Sequence, residues 1–166
     1  MNRGEEILLC EITKNSENIL VHHSPMEEDL SVLILRSTIF SKEGVSSLTP
    51  KMFLTYKEKF GILEIADIRM EDNDTNKGYG SVLMGALSLI IQRYPRPIKY
   101  ITGWISGVDW DHVDRNKHFY EKFGFCIELD HSIKEGAIFM INPSNNGSNE
   151  YYNNLNYTPG IAGLLS

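Results

Sequence analysis

The sequence predicts an α/β domain whose mixed, partly parallel, twisted sheet is flanked by helices. Its 166 residues suit a single hydrophobic core, because ~100–200 residues is the usual size of one domain. Hydrophobic residues make up 42% and charged residues 23% of the chain, which is ordinary globular usage. Beyond residue 61, segments of strand composition alternate with amphipathic segments of helical period. We therefore expect one domain over 1–142, followed by an Asn- and Ser-rich tail over 143–166 that we predict to be mobile.

The first sixty residues are predicted to form β-strands. Residues 7–12 and 18–21 are apolar runs separated by a polar turn, as in a hairpin, and 31–40 is rich in Val, Ile and Leu. Residues 49–60 are ambiguous, because their composition suits a strand while their large apolar residues also fall at helical spacing. We favour a strand that turns into the next one at 59–61.

The remainder of the domain alternates strands and helices. A strand over 62–70 is followed by a polar loop over 71–77 and by a helix over 81–94, whose apolar residues recur about every 3.6 positions. Pro95 and Pro97 end this helix, since proline lacks the backbone donor that a further turn needs. The later elements are expected to be a strand over 98–105, a helix over 114–123 that is capped by Gly124, and strands over 125–129 and 137–141.

The charge balance and the cysteines exclude several classes of partner. A formal net charge of -6 at pH 7 lacks the basic excess of a nucleic-acid-binding protein. Cys10 and Cys126 each lie in an apolar run without neighbours at metal-ligand spacing, so we expect reduced thiols and no metal site. No stretch approaches the ~18 apolar residues of a membrane span, and the first residues lack a secretory signal. We therefore expect a cytoplasmic protein with neither a nucleic-acid nor a membrane partner.

A glycine-rich loop between a predicted strand and a predicted helix is the most informative motif. Gly78 and Gly80 precede the amphipathic segment, and their lack of side chains lets backbone amides approach a bulky anion. The helix that follows directs free N–H groups and the positive end of its dipole toward the same point. The loop is neither a Walker loop nor a dinucleotide fingerprint, which needs a small residue where Leu83 stands. It predicts a pyrophosphate site, with a tight turn that binds no ligand as the alternative.

Several motifs follow one another in order between residues 62 and 125. They are the strand over 65–70, the glycine loop, the helix after it, and a Tyr-x-x-x-Gly-Phe run that begins at Tyr120. Together they resemble the GNAT superfamily of N-acetyltransferases. The resemblance implies that two parallel strands, by position 65–70 and 99–105, splay apart to form a cleft for acetyl-CoA, the acyl donor of the family.

The loop agrees with the family pattern Q/R-x-x-G-x-G/A at both glycines and departs from it elsewhere. Thr75 stands in place of Gln or Arg, and Asn76 stands where the family often has glycine. Because main-chain amides hold the pyrophosphate, the resemblance still implies binding by the loop, with the Lys77 side chain as an extra charge contact. The implied cofactor-binding residues are Ile68 and Met70 through their backbone, Lys77, Gly78, Tyr79, Gly80 and Ser81 in the loop, and Asn116.

The resemblance implies two catalytic groups. Tyr120 occupies the position of a tyrosine that protonates the departing CoA thiolate in many members, and an aromatic anchor is its alternative role. Glu64 lies fourteen positions (78 minus 64) before Gly78, where the histone-modifying members keep a general base. Asp67 is a second candidate base, on the opposite face if the strand is regular, and ordered water is a third.

The acceptor is expected to be a primary amine of a small molecule or a peptide. The segment 104–112 would lie beside the thioester end of the cleft, so Asp109, Trp110 and Asp111 are candidates for substrate contact. We expect direct attack by the amine on acetyl-CoA in a ternary complex. A CoA-binding module without transferase activity and a structural or interaction protein are the alternatives. The identity of the amine and the oligomeric state, a homodimer included, are left open.

Overall fold

The computed structural model describes residues 6–26, 32–46, 49–70 and 77–143. Most of the predicted tail and residues 71–76 of the predicted loop lie outside the described residues. The strands are β1 (Ile7–Lys14), β2 (Glu17–His23), β3 (Val32–Ser41), β4 (Gly44–Val45), β5 (Lys51–Lys57), β6 (Ile62–Arg69), β7 (Tyr100–Ile105), β8 (Cys126–Asp130) and β9 (Glu135–Ile141). The α-helices among these residues are α1 (Tyr79–Arg93) and α2 (Val113–Lys122).

The strands form one mixed sheet in the order β1-β2-β3-β5-β6-β7-β9-β8, with the short β4 paired to β3. Neighbouring strands are antiparallel except for β6 and β7, which are parallel. A parallel pair needs a crossover connection, and α1 supplies it. The predicted α/β class and the partly parallel sheet are therefore confirmed.

The core lies between the sheet and α1. Seven residues of α1 are buried, and Leu83 and Ile90 are completely inaccessible to solvent. Along β5, buried Met52, Leu54 and Tyr56 alternate with partly exposed residues, so one face of the strand is turned toward the core. This period of two confirms the strand interpretation of 49–60, and the helical alternative is wrong.

The structure shifts some predicted boundaries. Helix α1 begins at Tyr79 rather than at residue 81, because Gly78 adopts a left-handed conformation with φ of 82° and serves as the N-cap. Within the ranges that the structure describes, the predictions missed the 3-10 helices Glu58–Phe60 and Gly107–His112 and the two-residue strand β4. Each of these elements is held by a few local hydrogen bonds, so hydrophobic period carries no signal for it.

A β-bulge interrupts β6 at Ala66. Ile65 pairs with Leu54 of β5 and Asp67 pairs with Phe53, which leaves Ala66 without a partner in the register. β6 thus has one more residue than β5 over this stretch. Side chains of β6 after the bulge lie on the face opposite to the one that they would occupy in a regular strand. Asp67 therefore lies on the same face of the sheet as Glu64, because their β5 partners are two residues apart. In a regular strand these two carboxylates would face opposite sides.

None of the helices in the described ranges is long and apolar enough to span a bilayer.

Candidate functional site

A cavity opens between the two parallel strands where they separate. The pairing of β6 with β7 runs from Ile62 and Tyr100 to Ile65 and Gly103 and stops there, although both strands continue. The cavity beyond this point has a volume of about 610 Å³. Its walls come from β6, β7, the start of α1 and one side of α2. The lining residues are Ile65, Ala66, Asp67, Ile68, Met70, Gly78, Tyr79, Gly80, Ser81, Trp104, Ile105, Ser106, Asp109, Arg115, Asn116, Phe119 and Tyr120.

The N-terminus of α1 forms one end of the cavity. Its N-cap, Gly78, makes no side-chain capping hydrogen bond, and the first turn contains no acidic residue. The Val82 amide donates to the Gly78 carbonyl over 3.3 Å, and the amides of Gly80 and Ser81 precede it in the first turn, where helix geometry provides no intrahelical acceptor. Free amides and the positive end of a fifteen-residue helix make this end of the cavity suitable for an anion.

The β1–β2 hairpin contacts the same helix end. The Lys14 ammonium donates a hydrogen bond of 3.3 Å to the carbonyl oxygen of Gly78. The Tyr79 hydroxyl donates one of 2.7 Å to the Glu17 carboxylate, and the Tyr79 side chain is buried. Both contacts join residues more than sixty positions apart, so only the tertiary structure brings them together.

Helix α2 places Tyr120 at the side of the cavity, and the C-terminus of the helix fixes its position. Gly124 adopts a left-handed conformation with φ of 85°, which closes a Schellman motif. In this motif the amide of Phe125 donates to the carbonyl of Tyr120 over 3.2 Å, and that of Gly124 donates to Glu121 over 3.0 Å. The Tyr120 ring packs edge-on against the rings of Phe119 and Phe125, at centroid distances of 5.2 and 5.7 Å.

The Tyr120 hydroxyl is held in its neutral form. Burial raises its pKa to about 12, and the negative charges of Asp109 and Asp67 add to the effect. A phenol in low-dielectric surroundings beside carboxylates ionises less readily than one in water. At neutral pH Tyr120 is therefore a hydrogen-bond donor and not a base.

Two carboxylates line the cavity beside Tyr120. The Asp67 carboxylate accepts a hydrogen bond of 2.6 Å from Nε of Arg69, whose side chain is mostly exposed. The Asp109 carboxylate accepts one of 3.1 Å from the Ser106 hydroxyl. Trp104 lines the same region and leaves 46% of its surface open to solvent. This part of the cavity therefore carries two carboxylates and an exposed indole ring, while Arg115 adds a cationic residue to the lining. The α1 end is electropositive.

The structure brings most of the predicted site residues to this cavity. Lining positions are occupied by Ile68, Met70, Gly78, Tyr79, Gly80, Ser81, Asp109, Asn116 and Tyr120. Four others, Lys77, Glu64, Trp110 and Asp111, do not line it. The Glu64 carboxylate forms an ion pair of 2.8 Å with Lys57, and the Trp110 ring lies edge-on to His131 at 5.3 Å. The roles of all these residues stay predictions.

Sequence reasoning missed several lining residues. Trp104 and Ser106 belong to the segment that was expected near the thioester, and Arg115 and Phe119 precede Tyr120 on α2. Helical spacing from Tyr120 gave no signal for the last two, because Arg115 and Phe119 lie five and one positions before it, whereas residues three or four positions apart share a helix face. Among the described residues, no three His, Cys, Asp or Glu side chains lie close enough together to hold a metal ion.

The chain is similar to known proteins in sequence and in structure. No family model matches the chain. An uncharacterized protein from Bacillus subtilis (strain 168), YocC, is 29% identical over 139 residues, which cover 83% of this chain and 78% of YocC. The IAA acetyltransferase from Bacillus cereus ATCC 14579 superimposes with a TM-score of 0.54 at 14% identity, over 75% of this chain and 99% of that one.

A second solved structure gives a similar result. The dodecameric spermidine N-acetyltransferase from Vibrio cholerae, in its intermediate state, superimposes with a TM-score of 0.52 at 14% identity, over 72% of this chain and 71% of that one. Likeness at such low identity is informative about architecture alone. On these grounds, the chain has the fold of the GNAT acetyltransferases.

Proposed function

We propose that this chain is an acyl-CoA-dependent N-acetyltransferase, which moves an acetyl group from acetyl-CoA to a primary amine. The observation that carries the proposal is the opening between β6 and β7, where pairing ends at Ile65 and Gly103. A cavity of about 610 Å³ occupies this opening and reaches the first turn of α1. Free amides at a helix N-terminus and unpaired strand backbone suit a ligand that carries both phosphates and amides, as CoA does.

In this proposal, different residues of the cavity bind the pyrophosphate and the pantetheine arm of CoA. The amides of Gly80 and Ser81 donate to pyrophosphate oxygens, with the dipole of α1 behind them. The backbone of Ile68 and Met70, which lies beyond the last β6–β7 pair, hydrogen-bonds the amides of the pantetheine arm. When bound, acetyl-CoA supplies an activated thioester, whose C–S bond breaks as the C–N bond to the acceptor forms.

Tyr120 acts in this scheme as a hydrogen-bond donor to the leaving sulfur. Its pKa of about 12 keeps the hydroxyl protonated at neutral pH. Because a thiolate has a pKa of about 8.5, complete transfer of the phenolic proton to sulfur is uphill. The main contribution of Tyr120 is therefore a hydrogen bond that stabilises the developing negative charge. The proton that the acceptor nitrogen loses balances the one that the sulfur finally gains.

Asp67 is the residue that we assign to accept the proton from nitrogen. Each of the two candidate carboxylates is paired with a cation, that of Asp67 with Arg69 and that of Glu64 with Lys57, but only Asp67 is a lining residue of the cavity. A general base must come within hydrogen-bond reach of the proton that it removes, so position in the cavity favours Asp67. Asp67 and Asp109 together favour a cationic acceptor, and the fold neighbour that acts on spermidine supports an amine substrate.

The sequence-based expectation of a cytoplasmic location is retained as part of this proposal.

Two measurements on the purified protein test the proposal. Titration calorimetry with acetyl-CoA should give saturable binding, and a panel of amines should release free thiol with at least one acceptor. Tyr120→Phe should bind acetyl-CoA as the wild type does and lower kcat about 10-fold or more, since donor removal acts on the transition state. Absence of both binding heat and thermal stabilisation at millimolar acetyl-CoA would remove the assignment.

The identity of the base calls for a matched pair of variants. Asp67→Asn and Glu64→Gln each remove one negative charge with little change in volume. We expect Asp67→Asn to lower kcat/KM at neutral pH and to recover part of the loss at higher pH, where more of the amine is already neutral. Glu64→Gln should lose less activity. The reverse order of effects would transfer the role to Glu64.

A CoA-binding protein without transferase activity is the second candidate. It is favoured by one observation, the ion pair that Glu64 makes with Lys57 away from the cavity. Such a protein would bind acetyl-CoA in the calorimeter and release no thiol with any member of the amine panel. Both candidate functions predict acetyl-CoA binding in the calorimeter. Thiol release with the amine panel distinguishes the transferase from the binding protein.

A further inference from the structure

We propose that Lys14, on the β1–β2 hairpin, binds the pyrophosphate of CoA at the N-terminus of α1. The inference rests on the proposed function and extends its site to a part of the chain that lies outside residues 62–125, which carry the family resemblance. Lys14 is the last residue of β1, and its ammonium donates to the Gly78 carbonyl over 3.3 Å. Gly78 lines the cavity. Lys14 itself does not line the cavity, so its ammonium lies at the edge of the anion-binding end, in contact with a lining residue.

The contact between Lys14 and Gly78 is close. A Cβ added at position 78 would overlap the Lys14 ammonium, so the hairpin cation packs directly against the glycine that starts the helix. The same hairpin is tied to the next residue of the helix by the hydrogen bond of 2.7 Å between the Tyr79 hydroxyl and Glu17. These two contacts fix the position of the Lys14 stem relative to the first turn of α1.

The electrostatics of this arrangement point to an anion. A cation is disfavoured at a helix N-terminus, where the helix dipole already places positive potential. Here the first turn of α1 has no acidic residue to offset it. Among the residues that the structure describes, Lys14 forms no ion pair with a carboxylate, and Glu17 is engaged by Tyr79. The Lys14 ammonium, at the Gly78 carbonyl, and the first-turn amides of α1 therefore lie at the same end of the helix.

A diphosphate would supply negatively charged acceptor oxygens at the N-terminus of α1. Its oxygens can accept from the amides of the first turn and from a lysine ammonium at the same time, and charge-assisted hydrogen bonds of this kind are the strong ones. The Gly78 carbonyl is a weak partner for an ammonium by comparison, at a distance near the limit for a hydrogen bond. Because an ammonium group carries three N–H donors, Lys14 can donate to a phosphate oxygen as well as to the Gly78 carbonyl.

The test compares Lys14→Met and Lys14→Arg with Lys42→Met, a control that removes an exposed lysine of the β3–β4 turn. Methionine keeps the apolar stem and arginine keeps the charge. Each protein is titrated by calorimetry with CoA and with dephospho-CoA, which retains the pyrophosphate and lacks the 3′-phosphate. We expect Lys14→Met to raise the Kd of both ligands about 10-fold, the size of one partly exposed charge-assisted contact. Lys14→Arg and Lys42→Met should bind nearly as the wild type does.

The outcomes separate this inference from the proposed function. Wild-type binding together with unchanged binding by Lys14→Met would overturn the role of Lys14 and leave the CoA site standing. A loss confined to CoA would move Lys14 to the 3′-phosphate and overturn the pyrophosphate assignment. Failure of the wild type to bind either ligand would overturn the proposed function and this inference with it. Unchanged melting temperatures of the unliganded variants establish that binding, rather than folding, has been altered.

Discussion

The same substitution, glycine to alanine, is expected to have opposite effects on stability at two positions. Gly124 follows α2 with φ of 85°, a conformation in which a Cβ is strained. The nearest atom to an added Cβ would be Sδ of Met140 at 3.9 Å, so there is room and the strain is purely conformational. Gly85 lies on the exposed side of α1, and an added Cβ would meet nothing within 4 Å. There alanine has no steric penalty and the better helix propensity.

The magnitudes follow from these backbone conformations. A left-handed alanine costs about 1–2 kcal/mol, so Gly124→Ala should lower the free energy of unfolding by about 1 kcal/mol or more. An alanine inside a helix is better than glycine by roughly 0.5–1 kcal/mol, so Gly85→Ala should raise it by that amount. For a domain of this size, 1 kcal/mol corresponds to about 2–4 °C in Tm. The two variants should therefore differ from each other by several degrees.

Urea and thermal unfolding of the two variants beside the wild type measure the effect. Circular dichroism reports the midpoint, and an unchanged m-value shows that the same surface is exposed on unfolding. If both variants shift in the same direction, the backbone explanation is wrong. Because Gly124 also ends the helix that carries Tyr120, Gly124→Ala should lower acetyl transfer at temperatures well below its Tm, whereas Gly85→Ala should not.

Three further predictions concern the core, the hairpin contact and pH. Leu83→Ala removes a fully buried side chain from α1 and should destabilise the fold by about 2–5 kcal/mol in urea titrations. Glu17→Gln weakens the partner of the Tyr79 hydroxyl and should cost about 1 kcal/mol, an effect that Tyr79→Phe should abolish in a double-mutant cycle. The pKa of Tyr120 is raised from 10.0 to about 12 on folding. Its stabilisation is thus complete below pH ~10 and lost as the pH rises toward the folded value, so Tyr120→Phe should lose less stability than the wild type between these two pH values.

Much of the fold was predictable because its signals are local and repeated. The apolar face of α1 recurs over four turns, and each turn adds to the same indication of a helix. Buried and partly exposed residues alternate throughout β5 and over the first halves of β6 and β9, and the predicted positions of these strands agree with the structure to within a few residues. The left-handed conformation of Gly124 was likewise predictable from a glycine that directly follows a helical segment.

The candidate site was only partly predictable, since it depends on how distant elements meet. The glycine loop marked Gly78 and Gly80, which do line the cavity. The bulge at Ala66 follows from the register between β5 and β6, and no single residue of β6 predicts it. It decides that Asp67 shares a face with Glu64, contrary to the expectation for a regular strand. The ion pair of Glu64 with Lys57 also depends on this pairing.

The sequence by itself determined the order and type of the α-helices and of the longer strands, and the presence of a glycine-permitted turn before an amphipathic helix. These properties are set by the period of hydrophobic residues and by backbone preferences, which act over a few neighbouring positions. Only the tertiary structure decided where β6 and β7 separate, which carboxylates face the cavity, and that Lys14 reaches Gly78 from sixty-four positions away. Contacts of this kind arise from the packing of whole elements, so the local sequence around each residue does not indicate them.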